Sequence, residues 1–144
     1  MAATWPGGGY WLVDSAGDVY PFGGAHFDGD VGKTKLDAPV VGIARDLRDA
    51  TPSMPDGYLL ATANGKVFAF GAARFVGDAS HLHLNAPVAG IAGGYYLFAQ
   101  DGGVFSFGPP FRGSMGGQHL NGPIVAMILQ FVSPSCTGLP FGFC

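Results

Sequence analysis

The sequence predicts an all-β fold of three four-stranded antiparallel repeats, the arrangement of β-propeller blades. Three observations carry this. First, the chain is written three times: GYWLVDSAGDVYPFGGAHFDGD (9–30) returns as GYLLATANGKVFAFGAARFVGD (57–78) and as YYLFAQDGGVFSFGPPFRGSM (95–115). One phrase follows each copy: LDAPVVGIA (36–44), LNAPVAGIA (84–92) and LNGPIVAMI (120–128). Matching Phe22, Phe70 and Phe107 stand 48 and then 37 residues apart, a period that belongs to repeat architectures. Second, there are 25 glycines, only 12 % charged residues, and ten acids that are all Asp. Asp and Gly favour turns, where Glu would favour helices. Third, SAGD, ANGK and QDGG join apolar runs in each copy, and NG and DG in such places mark hairpins.

The elements follow in order. PVVGIA, PVAGIA and PIVAMI are short apolar runs entered through Pro, as expected of an inner strand buried on both faces. GYWLVDS, GYLLATA and YYLFAQ are second strands; VYPF, VFAF and VFSF are third strands. The joints between them predict type I′ turns, with positive φ at both central residues. HFDGD, RFVGD and FRGSM predict a short polar fourth strand. Pro21 cannot donate to a ladder, which places its strand at an edge or bulge. The pairs Tyr20/Phe22, Phe68/Phe70 and Phe105/Phe107 share a face and are expected to stack between blades.

The repeats cover about 9–44, 57–92 and 95–128 within one domain, 1–128, followed by an unrepeated tail, 129–144. RDLRDATPSMPDG (45–57) reads as a surface insertion between first and second strands. The chain enters on a second strand and ends after a first strand, 124–128, the phase with which one blade is closed from both chain ends. Propellers have about four to eight blades, so three predict a homodimer that closes six. A β-trefoil is the alternative.

A net charge of -3 with scattered cations argues against nucleic acid. No apolar run approaches the roughly 20 residues of a membrane helix. MAATWPGGG has neither a charged nor an apolar segment of a signal peptide. Cys136 and Cys144 lie in the tail and would form either a short disulfide loop or two thiols, which leaves the compartment open.

The pattern GYWL…GDVYPFG…FDGD…LDAPVVGIA resembles a tandem repeat of exported actinobacterial proteins, where it stands beside hydrolase or peptidase domains. It is more distantly similar to the repeat of the regulator of chromosome condensation. The resemblance spans about residues 8–128 and implies propeller-type architecture in an exported bacterial protein. This chain differs in having three copies, no companion domain and its own tail.

Asp37, Asn85 and Asn121 hold one repeat position before the inner strand. In a propeller they would ring one mouth of the axis, and such oxygen ligands suit Ca²⁺. Propeller lactonases of the paraoxonase and gluconolactonase type use an axial calcium to polarise the lactone carbonyl, although their motifs are absent here. The competing reading is a turn in which Asp or Asn bonds its own backbone. Asp28, Asp30 and Asp78 would form a rim calcium loop or solvated turns, and Ser114 replaces the Asp in copy three. His81 and His83 share a strand face, and His83, His119 and Lys35 are matched; His83 or His119 could serve as a base, or lie on the surface. Trp5, Tyr10, Trp11, Tyr95 and Tyr96 cluster at strand starts, to stack on sugars if exposed or to pack between blades. No G-x-S-x-G elbow is present.

The functional expectation is a binding module for glycans or another small ligand. A calcium-dependent lactone or ester hydrolase is the alternative, and a structural surface-repeat fragment is the third.

Overall fold

The computed structural model describes residues 2–3, 8–46, 57–93 and 95–129. Among these the fold is all-β, with nine strands and no helix. The strands are β1 (Ala2–Ala3), β2 (Gly9–Val13), β3 (Val19–Gly23), β4 (Val40–Arg45), β5 (Gly57–Thr62), β6 (Val67–Gly71), β7 (Val88–Ala92), β8 (Tyr96–Ala99) and β9 (Val104–Ser106). They form three antiparallel sheets, ordered β1-β2-β3, β4-β5-β6 and β7-β8-β9. The second and third sheets each join the Pro-entered phrase that ends one sequence repeat (β4, β7) to the hairpin of the next (β5-β6, β8-β9), while the first sheet has β1 in that place. Pro21 lies on β3, an edge strand, opposite Trp11.

The hairpins stand where expected, but their turns differ. Gly17 donates to Asp14 O (3.0 Å), Gly65 to Thr62 O (2.9 Å) and Gly102 to Ala99 O (3.0 Å). Only these glycines turn left-handed, with φ of 92°, 88° and 86°; Asn64 and Asp101 do not. This is a type I turn closed by a glycine bulge, a three-residue loop, and not type I′. A Cβ on Gly65 would stand 2.9 Å from Ala79 Cβ, so that turn needs Gly for space as well as for φ.

The expected fourth strand is not formed. In its place a loop returns to the hairpin through one amide per repeat: Val31 to Gly17 O, Ala79 to Gly65 O and Met115 to Gly102 O (3.2, 2.9 and 2.8 Å). The reason is local. Gly29, Gly77 and Gly113 adopt φ of 121°, 126° and 118°, which breaks the pleat within FDGD, FVGD and FRGS. The described units are therefore three-stranded.

The expected closing strand, 124–128, is also absent. Ala2 and Ala3 pair with Trp11 and Tyr10, the place that Ala44 and Arg45 take against Leu59 and Tyr58. The inner edge of β2 is thus met by the N-terminal segment. Two alanines carry no strand pattern that a sequence reading could detect.

The sheets pack face to face in sequence order. Leu60 and Tyr58 of β5 face back onto Trp11, Val19, Val31 and Val40. Leu59 and Ala61 face forward onto Val88, Tyr95 and Leu97. Period-two alternation normally buries one face; β5 is buried at every residue because it has a sheet on each side. β4 runs close beside β7, where a Cβ on Gly42 would meet Gly90 Cα at 3.2 Å. Crowding of that kind explains the small residues of the inner strands. The ends of the 45–57 insertion are anchored: Asp46 donates to Gly57 O (3.1 Å), and its carboxylate accepts from the Arg74 amide (2.9 Å). Residues 47–56 lie outside the described residues. No helix among the described residues is long and apolar enough to cross a membrane.

Candidate functional site

The polar face of the molecule is made where each inner strand begins. Val40 N donates to Ser15 O (2.9 Å) of the first hairpin, while Pro39 O accepts from Ala63 N (2.9 Å) of the second. Val88 N and Pro87 O link the second and third hairpins alike, to Ala63 O (2.8 Å) and Gln100 N (3.0 Å). Pro suits this place, because its carbonyl is used and the missing N–H is not needed. The clamp leaves the preceding turn at the surface. Asp37, Asn85 and Asn121 are all exposed there, one per repeat.

The first of these turns opens onto a groove that carries several polar groups. Asp37 lines it with Thr34 and Lys35 from its own repeat and with Asn64, Lys66 and Phe68 from the next. The second hairpin is fixed from within. The Thr62 hydroxyl donates to Asn64 Oδ1 (2.5 Å) and accepts from the Lys66 amide (3.1 Å), while the Lys66 ammonium lies 5.3 Å from the Phe68 ring centre. Carboxylate, ammonium, amide and ring therefore meet in one groove, the ring carried on β6 and the others on turns. Neither Asn85 nor Asn121 reaches it. Among the described residues no group of three or more His, Cys, Asp and Glu could hold a metal ion. Lys66 lines the same groove as Asp37 and brings a positive charge to it.

The carboxylates of Asp78 and Asp14 hold turns. Asp78 Oδ1 accepts from the Ser80 amide (3.1 Å) and hydroxyl (2.6 Å), and Oδ2 from the Val67 amide (3.3 Å). Burial opposes its charge, but these donors and nearby His81 outweigh it and hold the carboxyl below its ordinary range. Ser114, at the same position, accepts from the Gly116 amide (3.3 Å), so a hydroxyl performs the same turn-holding role. Asp14 accepts from Tyr20 Oη (2.9 Å) and from the amides of Ala16 and Asp18 (both 3.0 Å). Led by the Tyr20 bond, these contacts lower its pKa and raise that of Tyr20. Asp28 contributes its amide to Tyr58 Oη (3.0 Å). His81 Nδ1 stands 3.8 Å from Asp78, within its own turn, while His83 and His119 are exposed.

The aromatic set divides. Trp11 and Tyr95 are wholly buried, which corrects their assignment to a ligand face. Trp11 packs on Tyr58 (5.1 Å between ring centres) and donates to His26 O (2.7 Å). The Tyr95 hydroxyl donates to Gly77 O (2.5 Å). Tyr96 is half-buried and donates to Pro110 O (2.7 Å); Tyr10 is 41 % exposed, stacked on Phe22 at 5.2 Å. Phe70 and Phe107 pack on Tyr58 and Tyr95 of their own repeats. Trp5, Cys136 and Cys144 lie outside the described residues.

The groove residues that the repeat pattern did not single out are Thr34, Asn64 and Lys66, while Phe68 was expected only to stack between blades. For Asn64 and Lys66 the signal was departure from the repeat. Asn64 and Lys66 replace Ala16 and Asp18 of copy one, and Asp101 and Gly103 of copy three. Comparison with family models, with curated proteins and with solved structures finds no match.

Proposed function

We propose that this chain is a binding module of propeller-type repeats that takes a small polyhydroxylated ligand, of the glycan class, in the groove between its first and second repeats. The observation that carries this reading is the convergence of Asp37, Asn64 and Lys66 beside the Phe68 ring. Neighbouring sugar hydroxyls donate to a carboxylate and accept from an ammonium or amide, while the C–H face of the ring stacks on an aromatic. The groove is small, and its residues sit on β6 and on hydrogen-bonded turns, so little ordering is required on binding. Asn64 and Lys66 stand at hairpin positions that vary between the copies, whereas Asp37 and Phe68 stand at recurring polar and aromatic positions.

The test is a glycan array followed by calorimetry with the best ligand. Asp37→Ala and Lys66→Ala are each expected to weaken binding at least tenfold. Tyr96→Phe, outside the groove, is expected to leave it unchanged. An array without signal, or binding indifferent to both groove substitutions, overturns the proposal.

A further inference from the structure

The two junctions between repeats are built from the same parts. At the first, the Tyr58 hydroxyl donates to Gly29 O (2.5 Å) of the preceding repeat, and Phe70 lies against Gly29, 2.9 Å from where a Cβ would stand. At the second, Tyr95 donates to Gly77 O (2.5 Å), and Phe107 lies 3.2 Å from the same point on Gly77. Each junction is also crossed by the hairpin amide that donates to a proline carbonyl, Ala63 to Pro39 and Gln100 to Pro87. A forward face of one repeat thus receives a Tyr–Leu–Phe face of the next: Tyr58, Leu60 and Phe70, then Tyr95, Leu97 and Phe107.

Among the described residues, one example of each face is left open, at opposite ends of the row. Tyr10, Leu12 and Phe22 are the matching knob residues of repeat one, and they are 41 %, 38 % and 43 % exposed. Phe98, Val104, Met115 and Ile124 are the matching forward face of repeat three, and they line an open, largely apolar cavity together with Gly113. A Cβ on Gly113 would meet nothing within 4 Å, where Gly29 and Gly77 each meet a phenyl ring.

We infer that the occupant of this cavity is the Tyr10–Leu12–Phe22 face of a second copy of the same chain, joined head to tail. The inference rests on the propeller-type reading above and assigns the contact that completes it. The second copy is specified by the chain itself, because the cavity matches two junctions whose filler the structure shows. Tyr10 Oη then donates to Gly113 O, and Ser15 N to Pro123 O, as their counterparts do. Head-to-tail contacts either close or polymerise. With three repeats per chain, two copies is the one closed number within the range of about four to eight blades.

The test is mass by light scattering, over a range of concentrations, for the whole chain and two variants. Leu12→Arg alters the knob and Met115→Glu the cavity; neither residue belongs to the two buried clusters, so both chains keep their fold. The unaltered chain is expected at twice 14.8 kDa and each variant alone at 14.8 kDa. Their equal mixture is expected to return to the two-copy mass, because each chain supplies the face that the other lacks, and this recovery also shows that both are folded. A single-copy mass for the unaltered chain overturns the inference, as does a two-copy mass retained by either variant alone. A mixture that stays single overturns the head-to-tail pairing, and an unaltered mass beyond two copies overturns closure at two. Glycan binding by the single-copy variants reads the groove separately, because Asp37, Asn64 and Lys66 lie outside this contact.

Discussion

β2 and β5 are the same strand written twice, yet they have opposite fates. Tyr58 and Leu60 on β5 are fully buried, while Tyr10 and Leu12 on β2 are about two-fifths exposed. The residue types match and the hairpins match. What differs is the neighbour: among the described residues, β5 has a sheet before it and a sheet after it, whereas β2 has a sheet only after it. Burial here is a property of the row of repeats rather than of any one repeat, as nearest-neighbour stacking requires.

The contrast can be broken most strongly at Leu60. Leu60→Ala is expected to cost about 2–5 kcal/mol in urea unfolding, because a packed side chain leaves a cavity between two sheets. Leu12→Ala, measured in the Met115→Glu background, is expected to cost less than about 1 kcal/mol. Equal losses would show that the strand alone, without its neighbours, sets stability.

The hydroxyls come next. Tyr58→Phe removes an acceptor from the Asp28 amide and a donor from Gly29 O, and is expected to cost about 1–3 kcal/mol. Tyr10→Phe, in the same Met115→Glu background, is expected to be near neutral in the same unfolding experiment.

A smaller effect separates turn shape from turn space. Gly65→Ala meets both a left-handed φ and Ala79, while Gly117→Ala meets a left-handed φ of 83° in open space. The second is expected to cost about 1 kcal/mol and the first measurably more. Equal thermal midpoints for the two variants would remove the close approach of hairpin and loop from the account of that turn.

The smallest effect is in acid. Asp78 titrates below its ordinary 3.8 in the folded chain, so its contribution is whole above that value and is lost as pH falls through the folded one. Asp78→Asn should therefore lower the thermal midpoint at pH 6 more than at pH 3. A penalty that grows toward acid would mean that the carboxyl is favoured in its protonated form.

Much of the architecture could be read from the sequence, and the misreadings have specific causes. The hairpins were found because SAGD, ANGK and QDGG stand between apolar runs. Their turn type was not, because a glycine at that place serves type I with a bulge as well as type I′. FDGD resembles a polar strand until Gly29 is seen to turn left-handed beneath Phe70. Tyr10 and Trp11 are adjacent and point to opposite faces, so which one is buried depends on which side has a neighbour, and no single repeat records that. Asp37 was noticed for its repeated position, but its groove partners Asn64 and Lys66 come from a hairpin that breaks the repeat.

The most direct measurement is amide hydrogen exchange at the hairpin tips, residue by residue, in the unaltered chain and in Met115→Glu. Ala63 and Gln100, which bond Pro39 and Pro87 across the two internal junctions, are expected to exchange slowly in both. Ser15, at the matching position of repeat one, is expected to be slow in the unaltered chain and fast in Met115→Glu. Equal exchange of Ser15 in the two proteins, or fast exchange of Ala63 and Gln100 in both, would contradict the claim that all these junctions are one contact repeated.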